Sequence, residues 1–239
     1  YLQTAFESNL QTGEVFGMIL SKDRIVQSYI GELNTMVKSM VNGRVEITLP
    51  ANTMLPAGVT LNAVDGTTVT GNLTEEKTVY VDGLNGLHQL GYDMKGNPGK
   101  PFFTMTAGNE AATIKLNQSI LDDVFTIAAA NRTYTDTDGT TKVVQGSNEL
   151  ALLVAGLRTK KLEYTSGQTG TVDDFFRSII TKLGIEGQEA HRQMSNQQVL
   201  VEHVESRRQS VSGVSIDEEM ANMIRFQHAY NAAARAMTT

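Results

Sequence analysis

Apolar residues follow two rhythms along this chain. After a short lead-in over residues 1 to 13, they recur at helical spacing from Val15 to Val41. Phe16, Ile19, Val26, Ile30, Leu33, Val37 and Met40 predict one helix face, with Ser21 placed to cap a restart at Lys22. Asn42-Gly43 is a stop and turn signal. The rhythm then switches to alternation at Val45, Ile47 and Leu49, at Val59, Leu61 and Ala63, and at Val79 and Val81. Pro50, Pro56, Gly58, Asp65-Gly66 and Gly71-Asn72 punctuate these runs, so short strands with tight turns are predicted from Arg44 to Gly83.

Residues 84 to 101 are turn-rich, with Gly91, Gly96, Asn97-Pro98 and Gly99. Phe102 to Thr106 and Ile114 to Asn117 read as extended, Ser119 to Ala130 as a turn with a short helix, and Asp136 to Gly139 as a turn. Asn148 opens a helix with Leu150, Leu153, Val154 and Leu157 on one side.

From Val172 to Val211 the pattern is helical again. Gly184 and Gly187 are weak points, each costing on the order of 1 kcal/mol against Ala. A loose coiled-coil-like seam runs from Phe176, Ile179 and Leu183 through Met194, Val201 and Val204 to Val211, carrying Glu186, Gln197 and Arg208 on the way. Gly213 breaks the run. Ser215 and Glu218 then form a capping box, and Asp217, Glu218 and Glu219 place negative charge at the positive end of the next helix. Its seam is Ile216, Met220, Met223, Gln227, Tyr230, Ala234 and Met237, in alternating steps of four and three. Phe226, Ala229, Ala233 and Ala236 form a stripe beside it. The apolar face is wider than one partner helix needs, on a helix about 34 Å long. Ile216, Met220, Met223, Phe226, Gln227, Tyr230, Ala233, Ala234 and Met237 are the expected assembly interface.

The expected class is α+β. Residues 1–43 are a helical segment of a core domain, 44–83 an inserted β module, and 84–171 a mixed segment of the same core domain. Residues 172–239 are long helices for bundle packing and axial assembly.

Composition narrows the chemistry. Charged residues are only 19% and the net charge is −6, so no basic patch is present to neutralise phosphates. Arg158, Lys160 and Lys161 read as cations at a helix end. Cysteine is absent, which removes disulfides, thiolate metal sites and thiol nucleophiles. No apolar stretch approaches a membrane span, and no signal peptide is visible. Tyr1 stands where an initiator Met would, so a fragment or processed form is expected.

His88, His191, His203 and His228 show no ligand spacing. Asp122-Asp123 and Asp173-Asp174 read as helix starts rather than a facing catalytic pair. Asp136, Asp138 and Gly139 resemble the start of a calcium loop, but Ser147 occupies the twelfth position, where Glu is needed. No phosphate loop and no nucleophile elbow occur. No catalytic residue, metal or cofactor is therefore expected. Ten methionines remain, and Met36, Met40, Met194, Met220, Met223 and Met237 sit on predicted helices as adaptable packing material.

The residues also carry a resemblance. Gly213-Val214-Ser215-Ile216-Asp217-Glu218-Glu219-Met220-Ala221, followed by Gln227, Ala229, Tyr230, Ala232, Ala234 and Arg235, resembles the C-terminal signature of bacterial flagellar axial proteins. Gly13 to Gly17 with Lys22, Asp23, Ile25, Tyr29 and Leu33 resembles a helix of the hook-associated protein 1 family, the first junction proteins. Asn85, His88 and Gly91 with Phe102-Phe103 are similar to that family's N-x-x-H-x-x-G and F-F stretch. Ile114 to Asn117, Ile127 to Ala130 and Gly146 to Asn148 are similar to its later block. The likeness covers most of the chain. Two departures stand out. The family runs from helix almost directly into its Asn-x-x-His segment, whereas Arg44 to Gly83 intervenes here, and the family's N-terminal half and last C-terminal turns are missing.

The resemblance implies a non-enzymatic subunit joining hook to filament. It implies export by the flagellar type III apparatus without a cleaved signal peptide, and an extracellular place on the flagellum. Its implied partners are copies of itself in a ring or helix, the hook protein, the next hook-associated protein and an export chaperone, with no nucleic acid and no membrane. Two alternatives stay in view. One is a flagellin-like filament subunit, cap or other axial subunit. The other is a hydrolase built on Asp65, Glu75, Glu76 and Asp82 of the inserted module.

Overall fold

The change of rhythm at Asn42-Gly43 is where helix gives way to sheet. The computed structural model describes residues 13–164, 168–213 and 216–237. The first helical stretch comprises α1 (Glu14–Leu20), a π-helical turn over Ser21–Val26, and α2 (Gln27–Asn42). Ser21 has helical dihedrals, φ −60 and ψ −49, so it cannot take the non-helical cap conformation. The helix widens there instead of restarting.

Strand β1 (Arg44–Leu49) pairs antiparallel with β4 (Lys77–Asp82), with Val45 opposite Val81 and Ile47 opposite Val79. Alternation puts Val45, Ile47 and Leu49 on the buried face and leaves Glu46 exposed. Thr48 and Thr78 join hydroxyls across the pair at 3.0 Å. A hairpin of β2 (Thr60–Asn62) and β3 (Thr68–Thr70) lies between them in sequence. The strands over 44–83 do not close a core of their own. Val45 also pairs with Leu162 of β9 (Leu162–Glu163), and β10 (Thr169–Gly170) completes the order β10-β9-β1-β4. Leu87, Leu90, Ala128, Leu150 and Tyr164 belong to the same buried cluster as Val45, Ile47 and Val79.

Helix α3 (Gly83–Gln89) falls in the stretch read as turns. Gly83, Asn85 and Gly86 are poor helix formers, so tertiary packing decides here. Gly83 has φ +54, and a Cβ on it would lie 2.7 Å from the Val41 carbonyl carbon. Short elements follow: β5 (Phe103–Thr104), α4 (Glu110–Thr113), β6 (Lys115–Leu116), α5 (Gln118–Asp122) and the hairpin of β7 (Thr133–Thr135) and β8 (Thr141–Val143). Helix α6 (Glu149–Gly156) buries Leu150 and packs Leu153 and Val154 against the core, as its spacing predicts.

Helix α7 (Val172–Ser212) starts on this unit, with Val172 and Phe175 against the core and Ile179 buried. Phe175 stacks on Tyr164 at 4.2 Å, and the Tyr164 hydroxyl donates to the Thr171 carbonyl at 3.1 Å. Helical hydrogen bonding continues through Gly184 and Gly187. A second unit begins at Lys182 and holds the rest of α7 and α8 (Ile216–Met237). Gly213 leaves α7 so closely that a Cβ would meet the Gln209 carbonyl oxygen at 2.3 Å. Long C-terminal helices with several small sheets make the chain α+β.

Candidate assembly interface

Every residue expected at the interface lies on α8. Ser215 lies outside the described residues, so only the acidic half of its box, Glu218 with Asp217 and Glu219, is placed in the first turn. At helical pitch the seven seam positions occupy an arc of about 100°, and the stripe of Phe226, Ala229, Ala233 and Ala236 widens it to about 200°. Glu219 and Asn222 interrupt the arc. No residue of α8 is buried. Met220 is 51% exposed, Met223 65%, Phe226 76%, Tyr230 76% and Met237 84%, while Ala234 is half-covered. Large apolar side chains thus repeat along one exposed arc of the helix.

The carboxylate pairs are held by local structure. Asp174 accepts from the Thr171 hydroxyl at 2.7 Å while its own N–H donates to Thr171 Oγ1 at 3.1 Å, a reciprocal cap opening α7. The Thr171 hydroxyl holds the Asp174 carboxyl below its usual range. Asp173-Asp174 thus opens a helix as its sequence suggests, and the spacing Thr171-x-x-Asp174 is the signal for the cap itself. Asp123 caps the 3₁₀ turn Val124–Thr126 through the Phe125 N–H and accepts from Lys95 at 2.6 Å. Asp136 pairs with Lys142 across the β7–β8 hairpin, and Asp138 folds onto Thr140 at its tip. Asp65 and Glu75 of the hydrolase alternative both lie on Lys77 Nζ, at 3.5 and 3.0 Å, which ties them to a lysine at the surface. Among the described residues no cluster of carboxylates and histidines could hold a metal.

The N-x-x-H-x-x-G stretch works inward. Asn85 Nδ2 donates to the Asn42 side-chain oxygen at 3.0 Å and to the Phe103 carbonyl at 2.9 Å, and its Oδ1 accepts from the Phe103 N–H at 2.8 Å. One turn on, His88 is buried. Its Nε2 accepts from the Ala128 N–H at 2.8 Å, so the ring proton sits on Nδ1 and donates to the Lys100 carbonyl at 2.5 Å. Burial pushes the imidazole below its usual range, partly offset by the Lys100 carbonyl. Phe102 meets the ring edge-on at 5.2 Å. Gly91 completes the motif: a Cβ there would lie 2.1 Å from Leu150 Cδ2 and 2.9 Å from the Ala130 carbonyl oxygen. The motif therefore brackets α2, the Lys100–Phe103 segment and the Ala128–Ala130 segment onto α3.

Residues 205–239 match the family described as flagellar basal body rod FlgEFG protein C-terminal. Flagellar hook-associated protein 1 of Bacillus subtilis (strain 168) is 36% identical over 165 residues, covering 66% of this chain and 31% of that relative. The chain thus spans about a third of the relative's length. No solved structure matches. Among the described residues no helix is long and apolar enough to cross a membrane. By sequence, then, 165 residues of the chain are similar to flagellar hook-associated protein 1, and residues 205–239 are similar to the C-terminal region of flagellar basal body rod proteins.

Proposed function

We propose that this chain is part of a structural subunit of the bacterial flagellum that joins hook to filament and assembles through α8. The observation that carries the reading is the coincidence of two facts. The rod-family match falls on residues 205–239, and the same stretch holds a helix with an apolar arc and no buried residue. On this reading copies of the chain cover each other's arcs in a ring or helix, which fits an arc wider than one partner helix would cover. The hook protein and the next hook-associated protein bound that ring, and an export chaperone covers the arc before assembly. The subunit works outside the cell, exported without a cleaved signal peptide, and does no catalysis.

The rod-family match favours the broader alternative of another axial subunit, since it covers only the C-terminal module. The 165-residue likeness to a hook-associated protein favours the junction. Immunogold labelling of flagella separates them: label confined to the hook–filament boundary is expected, and label along the filament or in the rod overturns the junction assignment. Met223→Asp is expected to abolish incorporation while leaving the β1–β4 sheet folded.

A further inference from the structure

The sulfur on the proposed assembly face is chemically addressable. The chain has ten methionines and no cysteine, so thioethers are its only sulfur groups. Met36, Met40, Met54 and Met105 are half-buried. Met220, Met223 and Met237 are exposed and occupy three of the seven seam positions of α8. Met18, Met94 and Met194 are exposed too, but lie elsewhere. We infer that Met220, Met223 and Met237 form an oxidant-sensitive modification site, at which a peroxide converts the free chain to a form unable to assemble.

The step is an oxygen-atom transfer. The sulfur lone pair attacks one peroxide oxygen, the O–O bond breaks and an S–O bond forms. The departing hydroxide takes the proton of the transferred oxygen and leaves as water. Sulfur is oxidised by two electrons and the peroxide is reduced by two. A flexible apolar side chain becomes a polar sulfoxide. On the seam, each new S=O dipole faces the surface that assembly must dry, where a polar group without a partner opposes burial. Once the face is covered, the sulfurs are out of reach, so the sensitive period lies between synthesis and incorporation. Methionine sulfoxide reductases reverse the step, so a chain oxidised before export can be restored.

This inference rests on the assembly reading, and the test separates the two. The 239-residue chain is sedimented over a concentration series before and after hydrogen peroxide, with sulfoxides located by peptide mass mapping. Oxidation at Met220, Met223 and Met237 is expected to outpace that at Met36, Met40, Met54 and Met105 and to weaken association at least tenfold. A chain carrying Met220→Leu, Met223→Leu and Met237→Leu, still oxidisable at Met18, Met94 and Met194, is expected to keep its association under the same treatment. Undiminished association of the oxidised natural chain, or equal loss in the leucine variant, overturns the inference. A chain that stays monomeric without oxidant, or a Met223→Asp chain that associates like the unaltered one, overturns the assembly reading instead.

Discussion

Removing the His88 ring is expected to damage the sheet unit out of proportion to its size. In His88→Ala the buried Ala128 N–H loses its acceptor at 2.8 Å. Stranding one buried donor costs about 1–3 kcal/mol. Losing the edge-on contact with Phe102 adds roughly 0.5–1.5 kcal/mol. The Lys100 carbonyl also loses the Nδ1 donor at 2.5 Å, which adds to this loss. The expected loss is therefore at least about 1.5–4.5 kcal/mol. His88→Gln is the informative companion. Its amide presents an acceptor and a donor at a spacing close to that of the ring nitrogens, so it can serve both Ala128 and Lys100 without titrating. The folded-state pKa of His88 is lowered by burial, so the unfolded chain binds its proton first as pH falls. Stability from this group is full above the unfolded value near 6.5 and declines as pH falls from there toward the lowered folded value. Urea unfolding at pH 7.5 and pH 5, followed by near-ultraviolet circular dichroism of the buried tyrosines, measures both effects. The unaltered chain should lose more stability on acidification than His88→Gln does, and the difference between the two removes every other titrating group. A loss below about 0.5 kcal/mol in His88→Ala, the usual range for surface changes, or equal acid slopes in the two proteins, would refute the bracket.

Gly91→Ala drives a methyl group into Leu150 Cδ2 and should lower stability by about 1–3 kcal/mol, visible as a reduced thermal midpoint. Thr171→Ala removes one half of the reciprocal cap on α7 and should cost about 1 kcal/mol, read by urea unfolding. In a dilute monomer, amides of 216–237 should exchange within seconds while those of β1 and β4 are protected, because α8 buries no residue. Strong protection in α8 would mean that it is already covered.

The long elements were legible because their signals are local. Val172 and Gly213 bracket α7 in both sequence and structure, and alternation marked β1 and β4. What escaped was decided by distant chain. Helix α3 forms against its own propensity because Gly83 fits beneath the end of α2. Strand β9 is two residues long and exists because Leu162 meets Val45. The partners of His88 are backbone groups of Lys100 and Ala128, which any residue type supplies, so no side-chain pattern could announce them. The face of α8 was legible for the opposite reason: the apolar arc of an amphipathic helix is written wholly in its own spacing.

That independence complicates the Met223→Asp test. In proteins most helical stability comes from packing an amphipathic face rather than from propensity, so α8 gains most of its stability from whatever covers it. Asp is also a poorer helix former than Met by a few tenths of a kcal/mol, so failure to assemble could follow from a weaker helix rather than a spoiled face. His228→Asp resolves this. His228 is exposed on the same helix and projects about 140° from Met223 at helical pitch. His and Asp are similar helix formers, so His228→Asp places the same carboxylate on the helix away from the seam, while Met223→Asp places it on the seam at a propensity cost of only a few tenths of a kcal/mol. If the face is the cause, His228→Asp incorporates and Met223→Asp does not. If both fail alike, the limit is helix formation, and a Met223→Leu chain, apolar and strongly helix-forming, should then assemble no worse than the natural one. Loss of assembly in Met223→Leu as well would leave neither the apolar arc nor the helix as the determinant, and the assembly reading of α8 would fall with it.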